Sequence, residues 1–229
     1  MKFIWKWSVL PVAALLLGGV AMAQDQSSSG SQSSSSQSGS SATPTPAPAE
    51  KPKPTVEQRK ENQQDRIANG VQSGQLTAGE TKNLEKKEAA INKETVADRA
   101  ANGGKLTASE KRQINRQQNR MSKQIYADKH NANTAHYGDN KVGQRRENQQ
   151  DRIAQGIKSG QMTAGEAAKA EKQQQGINKQ VAADRAANGG KLTASEKQQI
   201  NKEQNAASKN IYHKKHNAKT QPQAQEKKP

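Results

Sequence analysis

Cysteine is absent from the chain. Disulfides, thiol catalysis and cysteine-based zinc sites are therefore excluded, and whatever folds must do so by packing alone. Aromatics are nearly absent as well. Phe3, Trp5 and Trp7 crowd the N-terminus, and only Tyr126, Tyr137 and Tyr212 follow them. No aromatic lies among the basic residues, which argues against base stacking and sequence-specific nucleic-acid recognition. After the first 23 residues no apolar run approaches the length needed to cross a bilayer. Catalytic signatures are missing too. There is no nucleophile elbow, no phosphate-cradling glycine loop and no His-Glu metal helix. The expectation is a non-enzymatic protein without a cofactor.

The first 23 residues read as a secretory signal. Lys2 and Lys6 supply a positive start, Ser8 to Val20 is mostly apolar, and Ala21-Met22-Ala23 is a small-x-small cleavage site. No cysteine follows it to carry a lipid anchor. Export to the periplasm or the extracellular space is expected. Residues 24–55 are Ser/Gln/Gly-rich and then Pro/Ala-rich, a composition expected to remain disordered as a linker. A short basic tail, 221–229, carries the same expectation.

Between these segments the chain repeats itself. Lys60-Glu-Asn-Gln-Gln-Asp-Arg-Ile-Ala68 returns as Arg146 to Ala154, and Ala97 to Lys111 returns unchanged as Ala183 to Lys197. The offset is 86 residues throughout, without insertion or deletion. A fixed period marks repeated supersecondary units; here they are assigned to residues 56–137 and 138–220.

Each unit contains two Gly-x-[Leu/Met]-Thr-Ala-x-Glu turns. Thr77/Glu80, Thr107/Glu110, Thr163/Glu166 and Thr193/Glu196 are each spaced as capping boxes, while Gly74 and Gly103 suit the left-handed end of a preceding helix. These signals predict an all-α fold of two tandem three-helix units. The helices are expected near 56–72, 78–101, 108–130, 142–158, 164–187 and 194–216. In the third helix Ile114, Met121 and Ile125 form one apolar stripe. In the second, Leu84 and Ile91 form one line, with Ala89, Val96 and Ala100 on another, as suits a middle helix between two neighbours. Leu84 becomes Ala170 and Met121 becomes Ala207, so copy two is expected to have the weaker core and to melt first.

The charge is lopsided. The formal net charge is +16, and residues 105–130 hold seven basic side chains against two acidic ones. Opposite the apolar stripe lie Arg112, Arg116, Arg120 and Lys123; in copy two only Lys202 and Lys209 remain of this basic stripe. A basic helical face is a footprint for polyanions. The expected partner is an anionic envelope or extracellular polymer, or an anionic lipid surface. The rival reading is a hydrophilic stress protectant, suggested by a mean hydropathy of −1.16.

Two sequence patterns come near to metal sites. The Leu-Thr-Ala-x-Glu turns resemble the exit half of an EF-hand, a calcium-binding reading that leaves Asn69, Val71, Arg99 and Ala101 at the entry positions, too few oxygens for the ion. His213 and His216 are three apart, but His130 and His216 read as C-terminal cations favoured by the helix dipole, with Asn131 and Asn217 as caps. No metal ligands are assigned. Taken together, Asp-Arg-Ile-Ala-x-Gly, Ser-Gly-Gln-[Leu/Met]-Thr-Ala-Gly-Glu, Asn-Gly-Gly-Lys-Leu-Thr-Ala-Ser-Glu and Ser-Lys-x-Ile-Tyr-x-x-Lys-His-Asn resemble a repeat found in uncharacterised exported bacterial proteins. The resemblance covers residues 57–220; it implies export and a helical repeat, and no activity.

Overall fold

The computed structural model describes residues 53–221. The leader at 1–23, nearly all of the linker and all but the first residue of the basic tail lie outside them. The described residues are all-helical: α1 (Val56–Gln72), α2 (Ala78–Ala101), α3 (Ala108–Lys129), α4 (Lys141–Lys158), α5 (Ala164–Ala187) and α6 (Ala194–Lys215).

Local chemistry explains the boundaries. Thr77, Thr107, Thr163 and Thr193 each accept from the backbone amide three residues on, and the Glu at that position reaches back to the Thr amide. Thr55 and Gln58 close a fifth capping box at the start of α1. Gly74 and Gly103 have φ of +70° and +61°, the left-handed conformation that ends a helix. α3 and α6 each stop one residue earlier than expected because His130 and His216 leave the helical region as caps. α4 starts one residue early, on the Asn140 side chain.

The repeated motif Glu-Asn-Gln-Gln-Asp-Arg-Ile-Ala can be read residue by residue in α1. Gln63 donates to the Gln118 carbonyl at 2.6 Å and to the Ser122 hydroxyl at 2.8 Å, pinning α1 to α3. Gln64 donates to Glu85 on α2. Arg66 reaches the Ser122 carbonyl, and Ile67 and Ala68 are buried. In copy two Gln149, Gln150 and Arg152 make the equivalent bonds to Gln204, Ser208 and Glu171. Gln118 and Gln204 return to the Val56 and Val142 carbonyls.

The apolar stripe of α3 is buried as expected, with Gln118 joining Ile114, Met121 and Ile125. Helix α2 differs. Val96 is 63% exposed and Ala100 is also exposed, so the second apolar line does not face a neighbour. The buried face is instead Thr81, Leu84, Glu85, Glu88, Ile91 and Thr95. The reason is the partner: α2 packs most extensively on α5, and α1 on α4, while α3 contacts both α1 and α2. The inward face of α2 is therefore set by its own counterpart in copy two. Leu84, Ile67 and Ile114 share one apolar cluster with Ile153, Ala167 and Ile211, so the main core draws on all six helices.

The turn motif does more than cap. Leu76 and Met162 are almost fully buried, plugging the core directly after α1 and α4. They fold back over Gly70 and Gly156, where an added Cβ would sit 2.7 Å from Leu76 and 2.6 Å from Met162. This close approach accounts for the glycine in Asp-Arg-Ile-Ala-x-Gly. Ala in place of a helical Gly normally gains up to about 1 kcal/mol. Here the clash outweighs it, and Gly70→Ala is expected to destabilise by about 1–3 kcal/mol in chemical denaturation. A stabilised variant would show that the plug shifts freely.

Candidate functional site

The exposed side of α3 carries the cations singled out in the sequence. Arg112, Arg116, Arg120 and Lys123 are all exposed, on the side of the helix away from Ile114, Gln118, Met121 and Ile125. Lys202 and Lys209 are exposed on α6 in the corresponding places. At the C-terminal end of each face sits an exposed aromatic missed in the sequence. Tyr126 is 61% and Tyr212 54% exposed, each stacked on the histidine four residues on at 4.1 Å between ring centroids. The signal was the Tyr-x-x-x-His spacing, which places the two rings one helical turn apart. His130 and His216 also bond their Nδ1 atoms to the Tyr126 and Tyr212 carbonyls.

The capping carboxylates are structurally committed. Glu80 takes the Thr77 amide and hydroxyl on one oxygen, and Asn131 and Asn133 on the other. Burial pushes its pKa up, but these hydrogen bonds outweigh it and hold the group below its usual value. Glu166 accepts the Thr163 amide and hydroxyl on one oxygen and Asn217 on the other. Asn131 and Asn217 are thus not helix caps. They tie the end of each third helix to the start of the second. Backbone bonds extend the tie, from Ala135 to Gly74 O at 2.8 Å and from Gln221 to Gly160 O at 2.9 Å. Gln221, expected to begin the basic tail, is buried in this contact. A calcium ion at Glu80 would have to displace four hydrogen bonds. Among the described residues no three His, Asp or Glu side chains converge on a metal-sized site. Nor does Arg99 pair with its neighbour Asp98; it reaches Glu57 on α1.

The least expected cluster lies inside. Glu85, Glu88 and Glu171 are fully buried where the two copies meet. Burial raises all three carboxyls, and the mutual proximity of Glu85 to Glu88 and Glu171 raises Glu85 further. Glu88 is pushed up to about 7, against the pull of Lys60, and Glu171 to about 8. Lys60, itself lowered by burial, faces Glu88 from α1. In copy two these positions hold Arg146 and Gln174, so α5 keeps Glu171 but loses the second carboxyl. Arg146 instead lies over the Tyr137 ring at 5.0 Å and donates to the His136 carbonyl. Seven-residue spacing (Thr81, Glu88, Thr95, with Leu84 and Ile91 alongside) was the signal for this face. The Glu-Lys-Lys-Glu run at 85–88 masked it by resembling a solvated surface.

No protein-family model, curated protein or solved structure matches the chain.

Proposed function

We propose that the chain is an exported, non-enzymatic scaffold, built from two copies of a three-helix unit, that binds anionic envelope or extracellular polymers through the outer faces of α3 and α6. The observation that carries this reading is the alignment of Arg112, Arg116, Arg120 and Lys123 on one exposed face, backed by a buried one. Rigid helices hold these cations in register, so an anionic chain meets them without first ordering them. The stacked Tyr126 and Tyr212 rings extend the two faces with flat apolar surface, suited to sugar rings as well as charge. Export is supported by the Lys2, Lys6 and Ala21-Met22-Ala23 leader pattern. A stress protectant of the unfolded, hydrophilic kind would not need fully buried Ile67, Leu84 and Ile114 in one core.

Reversing Arg116, Arg120 and Lys123 to Glu should lower the salt concentration at which the protein leaves a heparin column. Each lost anion contact should reduce the steepness of the salt dependence by about one. Binding that is insensitive to salt, or unchanged in the triple variant, would sink the reading.

A further inference from the structure

One end of copy two differs from the matching end of copy one, and the difference follows from the linker that joins them. In copy one Glu57 neutralises Arg99. The residue 86 positions after Glu57 is Gly143. A Cβ at Gly143 would lie 2.0 Å from the Gly138 carbonyl oxygen and 2.2 Å from that of Tyr137, so the linker passing over α4 permits no side chain there. The carboxylate is thereby deleted, and Arg185, the counterpart of Arg99, has no hydrogen-bond or ion-pair partner among the described residues.

Arg185 opens onto a cavity of about 690 Å³ at this end of the molecule. Lys141, Arg145, Lys191 and Lys197 line it with Arg185, and its lining includes no acidic residue. These five cations come from α4, α5, α6 and the intervening turn, so no single helix dictates their convergence. Val142 and Leu192 add apolar surface. Leu106, the counterpart of Leu192 in copy one, is buried, whereas Leu192 is only partly so. The copy-one positions hold Thr55, Arg59, Arg99, Lys105 and Lys111 with Glu57 among them, four cations and one carboxylate. The volume falls within the usual range for small-molecule sites, roughly 300–1,000 Å³. A half-buried guanidinium without a counter-charge, over exposed apolar surface, suits an anion that brings its own apolar part.

The geometry points to a binding site for a small amphiphilic anion at the Arg185 end of copy two, with a phosphate or carboxylate head held by Arg185 and Lys191 and an apolar portion seated on Val142 and Leu192. This site is separate from the outer faces of α3 and α6 and does not depend on them.

Calorimetric titration of the purified chain with octyl phosphate, below its micellar concentration, tests it. Saturable binding at one site per chain is expected, with inorganic phosphate at least tenfold weaker and octyl glucoside silent. Arg185→Gln with Lys191→Gln should weaken octyl phosphate at least tenfold. Arg99→Gln with Lys105→Gln in copy one should change it less than twofold. Lys141→Glu, on the exposed rim, is a second variant should the first pair lose its helical melt, and it should also weaken binding. Absence of saturable binding, equal losses in the two copies, or inorganic phosphate binding as tightly as the octyl ester would each overturn the assignment. Failure of heparin binding in the α3 variant would leave these outcomes unmoved.

Discussion

Leu84→Ala is expected to lower stability by about 2–5 kcal/mol, the usual cost of emptying a fully buried leucine site, and to do so for all six helices at once. Leu84 is fully buried and sits in the cluster that also holds Ile153, Ile157, Met162 and Ile211 from copy two. A chain of this size loses roughly 2–4 °C of melting temperature per kcal/mol, so the thermal midpoint should fall by about 10 °C. The melt should keep a single transition, and hydrogen exchange should lose as much protection in α5 as in α2. The sequence suggested otherwise: with Ala170 and Ala207 in place of Leu84 and Met121, copy two was expected to melt first. Ala170 packs in the same cluster as Leu84, while Ala207 packs in a smaller one with Val142, Ile177, Val181 and Ile200. The larger cluster, shared by both copies, cannot be lost by half. Two separated transitions, with α4–α6 untouched by the substitution, would refute this.

Stability should fall as pH rises from about 4.5 to 8. The carboxyls of Glu88 and Glu171 have folded pKa values of about 7 and about 8 against an ordinary 4.5, and Glu85 is raised as well. A raised carboxyl favours the folded chain fully below its unfolded pKa, and that contribution is lost as pH climbs through the folded value. One such group is worth on the order of 3 kcal/mol. The groups facing the cluster temper the effect without reversing it. Lys60 attracts Glu88, Gln64 and Gln150 donate to Glu85 and Glu171, and Tyr137, with the Arg146 guanidinium over its ring, lies near Glu171. At the acid end the capping carboxylates oppose it. Glu80, Glu110 and Glu196 are held below their usual value, so their contribution fades as pH falls through their folded values. The maximum should therefore lie in mildly acidic solution. Thermal melts from pH 4.5 to 9 should show the midpoint dropping by about 10 °C. Glu88→Gln, the residue that copy two already carries as Gln174, should flatten part of that slope and stabilise the chain at pH 8. A midpoint that rises with pH, or a variant with an unchanged slope, would contradict the cluster.

Which features were legible in advance follows from how far apart the interacting groups are in the chain. The basic face of α3 was legible because helical spacing alone puts Arg112, Arg116, Arg120 and Lys123 on one side. The amphiphile cavity was not. It depends on Gly143 lying beneath the Tyr137–Gly138 backbone, a contact that no periodicity encodes. Glu85 and Glu88 were hidden because composition marks them as surface, whereas α5 covers them.

The sequence by itself determined the helices. Their ends are decided by hydrogen bonds that span three residues, as from Thr77 to Glu80 and from Thr193 to Glu196, and such bonds need nothing from the rest of the molecule. Only the tertiary structure decided which faces meet. Copy packs on copy through α2 with α5 and α1 with α4, and that pairing turns Glu85, Glu88 and Glu171 inward and leaves Val96 outside. The physical reason is that burial belongs to pairs of surfaces. Gly70 lies under Leu76 and Gly143 under the Tyr137–Gly138 backbone, and only the folded chain makes those contacts.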